Sequence, residues 1–239
     1  TFELVLKART LIDEISYTNQ LTADIVLVAV INSLISSSFL QRAGDLRYKT
    51  EKELKRKTDF IETIEQNLSN IISDIKQIEP LPITPTLISE NAKLIDKIPH
   101  LKINAVITSP PYLNGTNYFR NTKVELWFLR SIKNQEDLSC FRRATVTAGI
   151  NDVSQKKRLE FTTPKIQAIV DALKAKSYDQ RIPKMGSDYF QDIARIFSGL
   201  KTQLEPNADI AIDIGDSIYS GIKVPTDELF IDVLETLGY

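Results

Sequence analysis

The chain has 239 residues, of which 42% are hydrophobic and 26% charged. These fractions exclude a disordered tail, a collagen-like fibre and a disulfide scaffold, and the length allows one large domain or two smaller ones. The formal net charge of −1 gives no global basic field. The single cysteine, Cys140, closes no internal disulfide, which favours a reducing compartment.

Phe2, Leu4, Val5, Ala8, Leu11 and Ile12 recur at helical spacing. A second apolar helix is expected over 21–40, with Thr22 as its cap. The longest apolar run, residues 25–31, falls far short of the roughly 20 residues a membrane span needs. No signal-peptide pattern opens the chain, so the expected location is the cytoplasm, away from any membrane. A long charged helix comes next, over 45–79. In it Leu54, Ile61, Leu68 and Ile75 lie seven apart, with Ile64, Ile71 and Ile78 as a second series. This heptad pattern fits a helix packed in a hairpin, or a coiled coil that makes a helix-mediated homo-oligomer. The basic run Lys49, Lys52, Lys55, Arg56 and Lys57 is a solvated face or a phosphate contact.

Pro80, Pro82 and Pro85 break the helical pattern. They mark a linker, 80–85, between a helical zone, 1–79, and an α/β part, 86–239. In the α/β part the texture predicts a short helix or turn at 89–98 and a buried strand at 104–108. The strand runs into the loop Ser109-Pro110-Pro111-Tyr112. Helices are expected over 124–132, 163–175 and 187–204, and a second buried strand over 208–214. A last helix, 226–237, is opened by Pro225 in its first turn. This alternation argues for a parallel sheet covered on both faces. The charge is unevenly spread: segment 117–184 carries +7 and the remainder −8. A basic block of that kind supplies sequence-independent affinity for a phosphate backbone.

The stretch Ala105-Val-Ile-Thr-Ser-Pro-Pro-Tyr112 resembles motif IV of the DNA amino-methyltransferases. In these enzymes an Asp, Asn or Ser, two prolines and an aromatic stand at the end of a buried strand. The segment from Tyr112 to Leu129, a polar, aromatic-rich loop leading into a helix, is similar to the stretch after motif IV in a bacterial group of them. The resemblance implies methyl transfer from S-adenosylmethionine to the exocyclic amine of cytosine or adenine in double-stranded DNA, in a restriction-modification setting. It also implies an α/β fold with a Rossmann-like methyltransferase sheet, here incomplete, carrying a long helical insertion.

The chemistry suits such a loop. An exocyclic amine is a poor nucleophile because its lone pair is delocalised into the ring. Ser109 Oγ and the Pro110 carbonyl offer acceptors for its hydrogens, in a loop that Pro110 and Pro111 make rigid. Tyr112 offers a face on which a base rotated out of the duplex can stack. These four residues are the catalytic candidates. Arg120 and Lys123, then Arg142 and Arg143, then Lys156, Lys157 and Arg158, are the candidates for gripping DNA. Trp127 and Phe128 are expected in the core. Asn91 stands where the family carries an acidic residue near the cofactor adenine, and Asp216 closes the later strand, so both are cofactor-binding candidates.

The glycine-paired turn that holds the cofactor in this family has no match among the eight glycines. With Thr1 in place of an initiator methionine, the expectation is a fragment lacking the first part of its fold. A metal site is not expected, because His100 stands without histidine or cysteine neighbours. The serine of the motif favours cytosine over adenine. Two other readings stay open: a methyltransferase for RNA or a protein amide, and a non-catalytic helical interaction module.

Overall fold

The computed structural model describes the chain except residues 1, 44, 80–81, 90, 115–117 and 154–160. In chain order the helices and strands begin with α1 (Phe2–Ser16), α2 (Gln20–Leu34), β1 (Leu40–Gln41), β2 (Arg47–Tyr48), α3 (Glu51–Leu54) and α4 (Phe60–Gln77). A 3-10 helix (Ala92–Lys97) precedes β3 (Ile103–Thr108), and then come α5 (Tyr118–Asn121), α6 (Lys123–Phe128) and α7 (Gln135–Ala144). The remainder is α8 (Pro164–Lys176), α9 (Arg181–Lys201), β4 (Leu204–Ile212), β5 (Ser217–Tyr219), β6 (Ile222–Val224) and α10 (Thr226–Thr236). Two compact units result: residues 1–86 with 119–138, and residues 87–118 with 139–239. Segment 119–138 groups with the helical residues rather than with the α/β part.

The first unit is a helical assembly. Asn19 Oδ1 accepts from the Thr22 N–H at 3.0 Å, so the cap of α2 is Asn19 rather than Thr22. The helix ends at Leu34, where serines 36–38 take up backbone carbonyls. The core gathers Val5, Ile12, Val30, Leu34, Phe60 and Phe128. The expected helix over 45–79 is in fact two. Thr50 and Glu53 form a capping box that starts α3, and Asp59 caps α4 through the N–H groups of Ile61 and Glu62. Two caps within ten residues stop the heptad from running through. Asn67 ties α4 to α2 by donating to Ser33 Oγ at 2.9 Å. Lys49 is no free phosphate contact: its ammonium donates to the carbonyls of Ile35, Ser36 and Ser38.

The second unit is a mixed helix and sheet layer. β3 and β4 pair in parallel, with Val106 opposite Ile210 and Thr108 opposite Ile212. Val106, Ile210 and Ile212 turn toward a core built on α9, whose Ile182, Met185, Tyr189, Phe190 and Ile193 are fully buried. The side chains between them, Ala105, Ile107, Asp209 and Ala211, are exposed, Ile107 to 89%. One face of this pair is therefore covered, not both as the alternation predicts. α9 begins six residues before the expected start; Pro183 and Gly186 hide its first turns from a pattern reading. Pro225 stands at the N-cap of α10 and not inside its first turn. β5 and β6 form a hairpin over Ser220 and Gly221, both with positive φ.

Candidate active site

The parallel pairing fixes the site. Beyond the matched residues Thr108 and Ile212, the Asp213 N–H donates to the Thr108 carbonyl at 3.0 Å. Ser109 and Asp213 are thus the first residues past neighbouring strand ends, where ligands of open parallel sheets bind. The chain cannot continue as strand there. Pro110 and Pro111 lack N–H groups and fix φ, and a residue before proline is held extended. The loop turns instead, with the Asn114 N–H donating to the Tyr112 carbonyl at 2.8 Å.

The loop is fastened at two points. The Tyr112 hydroxyl donates to Asp213 Oδ2 at 2.8 Å, and Ser109 Oγ lies 3.5 Å from the same oxygen. One carboxylate oxygen therefore joins the first and last residues of Ser-Pro-Pro-Tyr. Behind the loop, fully buried Leu113 gives its carbonyl to the hydroxyls of Ser217 and Tyr219. Gly215 passes beside the Tyr112 ring; a Cβ there would stand 3.8 Å from it, in ordinary contact. Ser109 is exposed, while Pro110, Pro111 and Tyr112 are half-buried. Among the described residues, no donor occupies the Pro110 carbonyl. The Tyr112 phenol is raised above its ordinary pKa, first by the hydrogen bond to Asp213, then by desolvation and the Asp213 charge.

This corner offers two acceptors, the Oγ of exposed Ser109 and the Pro110 carbonyl, close to an aromatic ring. It can hold a group bearing two N–H bonds next to a flat ring system. Asp213 escapes a pattern reading because the apolar run reads as one strand through to Ile214. The available signal is a pair of carboxylates, Asp209 and Asp213, interrupting that run.

Asn91 caps the 3-10 helix, its Oδ1 accepting from the Lys93 N–H at 3.0 Å. Asp216 accepts from the Thr226 N–H at 3.0 Å and pairs with Lys223 at 2.8 Å. The Lys223 hydrogen bond is the main cause that holds the Asp216 carboxyl below its usual range. Both side chains hold local structure, Asn91 through its amide oxygen and Asp216 through its carboxylate. Arg120 and Lys123 belong to the first unit, where both turn to Asp45, at 2.7 and 3.9 Å. Arg142 and Arg143 are exposed in the last turn of α7, with Arg143 against Cys140 Sγ at 2.9 Å. Lys156, Lys157 and Arg158 lie outside the described residues. Phe128 is buried, and Trp127 stacks on Phe2 at 5.8 Å under the Arg9 guanidinium. Among the described residues, no group of three or more His, Cys, Asp or Glu could hold a metal ion, and no helix is long and apolar enough to cross a membrane.

No family model and no solved structure matches the chain. It is similar to the type II methyltransferase M.BsoBI of Geobacillus stearothermophilus, with 27% identity over 208 residues. That match takes in 74% of this chain and 40% of the relative, so the chain spans less than half the length of the protein it matches.

Proposed function

We propose that this chain is part of a DNA amino-methyltransferase of the restriction-modification kind, and that Ser109-Pro110-Pro111-Tyr112 is the seat of the target base. The observation that carries this reading is the corner at the end of β3. It has two acceptors, Ser109 Oγ and the Pro110 carbonyl, on a proline-stiffened loop whose aromatic ring is tied to Asp213. The similarity to a type II methyltransferase supports the same reading.

In this reading the base leaves the duplex and lies on Tyr112. Its NH2 group donates to Ser109 Oγ and to the Pro110 carbonyl, which draws the nitrogen toward an electron-rich, tetrahedral form. The loop needs little ordering to do so, because its ends are already fastened. S-adenosylmethionine is the methyl donor that the family resemblance implies, with Asn91 and Asp216 as the candidates for holding it. The cytosine amine is favoured over adenine. The sheet of this unit would then be part of a Rossmann-like one, and the protein would act on DNA in the bacterial cytoplasm. Arg142 and Arg143, exposed and free of carboxylate partners in the ion pairs described, are the best-placed DNA contacts. Arg120 and Lys123 would have to leave Asp45 to serve.

The test is methyl transfer by the full-length gene product from S-adenosylmethionine, labelled in its methyl group, to duplex DNA, read by digestion and mass spectrometry of the nucleosides. N4-methylcytosine is the expected product. Ser109→Ala should lower the turnover on the order of 100-fold, the usual cost of removing one preorganised hydrogen bond at a reacting group. Label found in RNA or in protein glutamine would move the function to another substrate. An unimpaired Ser109→Ala would remove the loop from the chemistry.

A further inference from the structure

A serine hydroxyl is an ambiguous recognition element. It carries one proton and two lone pairs, so it can donate to a base carbonyl or accept from a base amine. Asp213 resolves the ambiguity. A carboxylate oxygen only accepts, and Asp213 Oδ2 lies 3.5 Å from Ser109 Oγ while already receiving the Tyr112 hydroxyl at 2.8 Å. The longer contact is of the kind that tightens once a substrate is seated. The pairing of Thr108 with Ile212 and the bond from the Asp213 N–H to the Thr108 carbonyl set the two residues side by side. The backbone thus places the two residues next to one another on neighbouring strand ends.

We propose that Asp213 is a specificity-determining residue. By taking the hydroxyl proton of Ser109 it leaves Oγ an acceptor. With the Pro110 carbonyl, the corner then presents acceptors alone and selects a base edge bearing NH2 over one bearing a carbonyl. The substrate class is thus cytosine or adenine, and uracil, thymine and hypoxanthine are refused. The inference rests on the reading of the loop as the seat of the amine. Asp213 acts through Ser109, so it is a positioning residue; its carboxylate need not touch the base.

The experiment compares equilibrium binding of two duplexes to the full-length protein by fluorescence anisotropy, with no methyl donor present. Both carry the site found by the methylation assay. One holds the target base, the other its deaminated counterpart: uracil for cytosine, or hypoxanthine for adenine. The wild type should favour the amino base roughly tenfold or more, the discrimination typical of a well-matched hydrogen-bonded contact. Asp213→Ala should bring the two affinities within about threefold, because the freed hydroxyl can now donate. Losing a negative charge strengthens binding to both duplexes alike and cancels in the ratio. Tyr112→Phe is the control: it removes the tether to Asp213 but leaves the Ser109 proton where it was, so the wild-type ratio should persist. If Asp213→Ala does not fold by circular dichroism, Asp213→Leu, close in size but unable to accept a hydrogen bond, carries the test with the same expected loss.

A folded Asp213 variant that keeps the wild-type ratio would overturn the assignment while leaving the methylation reading intact. A loss of ratio in Tyr112→Phe equal to that in Asp213→Ala would reduce Asp213 to a structural tether and overturn it as well. A full-length wild type that methylates neither cytosine nor adenine in DNA would sink the underlying reading, and this inference with it.

Discussion

Tyr112 and Ser109 meet on a single carboxylate oxygen, and the Tyr112 proton reports on that meeting. Its phenol is raised chiefly because Asp213 accepts the hydroxyl hydrogen. A negative neighbour also disfavours a phenolate. Asp213→Asn removes the charge and weakens the acceptor, so Tyr112 should ionise at lower pH in that variant. Carbon-13 labelling of tyrosine, with Tyr112→Phe to assign the signal, measures this by NMR. An unmoved titration would mean that the two side chains do not face one another in solution. The loop itself is legible in the sequence because its four residues are contiguous. Asp213 is not, because its partnership with Ser109 arises from strand register between residues about a hundred positions apart. No local pattern encodes that.

Among the elements, α4 illustrates how a periodic signal is bounded by a local one. Its heptad series reaches back to Leu54, yet the helix starts at Phe60 because Asp59 Oδ1 accepts from the N–H of Ile61 at 2.8 Å and of Glu62 at 3.2 Å. Asp59→Ala should destabilise the first unit by about 1 kcal/mol, the usual worth of an N-cap. Urea unfolding monitored by helical circular dichroism reads it, and an unchanged midpoint would show that packing of Phe60 alone sets the helix start. The same contest explains the rest of the secondary structure. The strands at β3 and β4 and the helices α8 and α10 are readable from apolar runs and caps. α7 is short and densely charged, and Leu138 and Phe141 are its only large apolar residues, too few to announce it. The first turns of α9 are masked by Pro183 and Gly186, which burial in the core tolerates. The hairpin of β5 and β6 is too short to show an alternation.

For the molecule as a whole, alkaline pH is the informative stress. Tyr189, Tyr219 and Tyr239 all lie in the second unit and are raised mainly by burial, Tyr219 and Tyr239 to about 12 and Tyr189 further. An unfolded chain releases its phenolic protons near pH 10, whereas these folded phenols keep theirs. Their contribution is fully present below that value and drains away as pH climbs from about 10 toward 12. Urea midpoints measured across that range should fall, with the second unit losing structure first. A flat profile would mean that these rings are wetter than the structure makes them. The α/β character of this unit is legible from the order of strands and helices. The division of the chain is legible only in part, because the return of segment 119–138 to the first unit leaves no mark in composition.

That return has a consequence for how such a protein can be divided. Phe128 and Glu125 are buried among residues of the first unit, with Glu125 neutralised by Arg42. A chain started at Leu87 would therefore carry a stranded helix, with a bare aromatic ring and an acid robbed of its counterion. The helical unit is discontinuous in sequence, and its last piece, 119–138, lies just downstream of the Ser-Pro-Pro-Tyr loop. Recombination between relatives can exchange it only by cutting in two places.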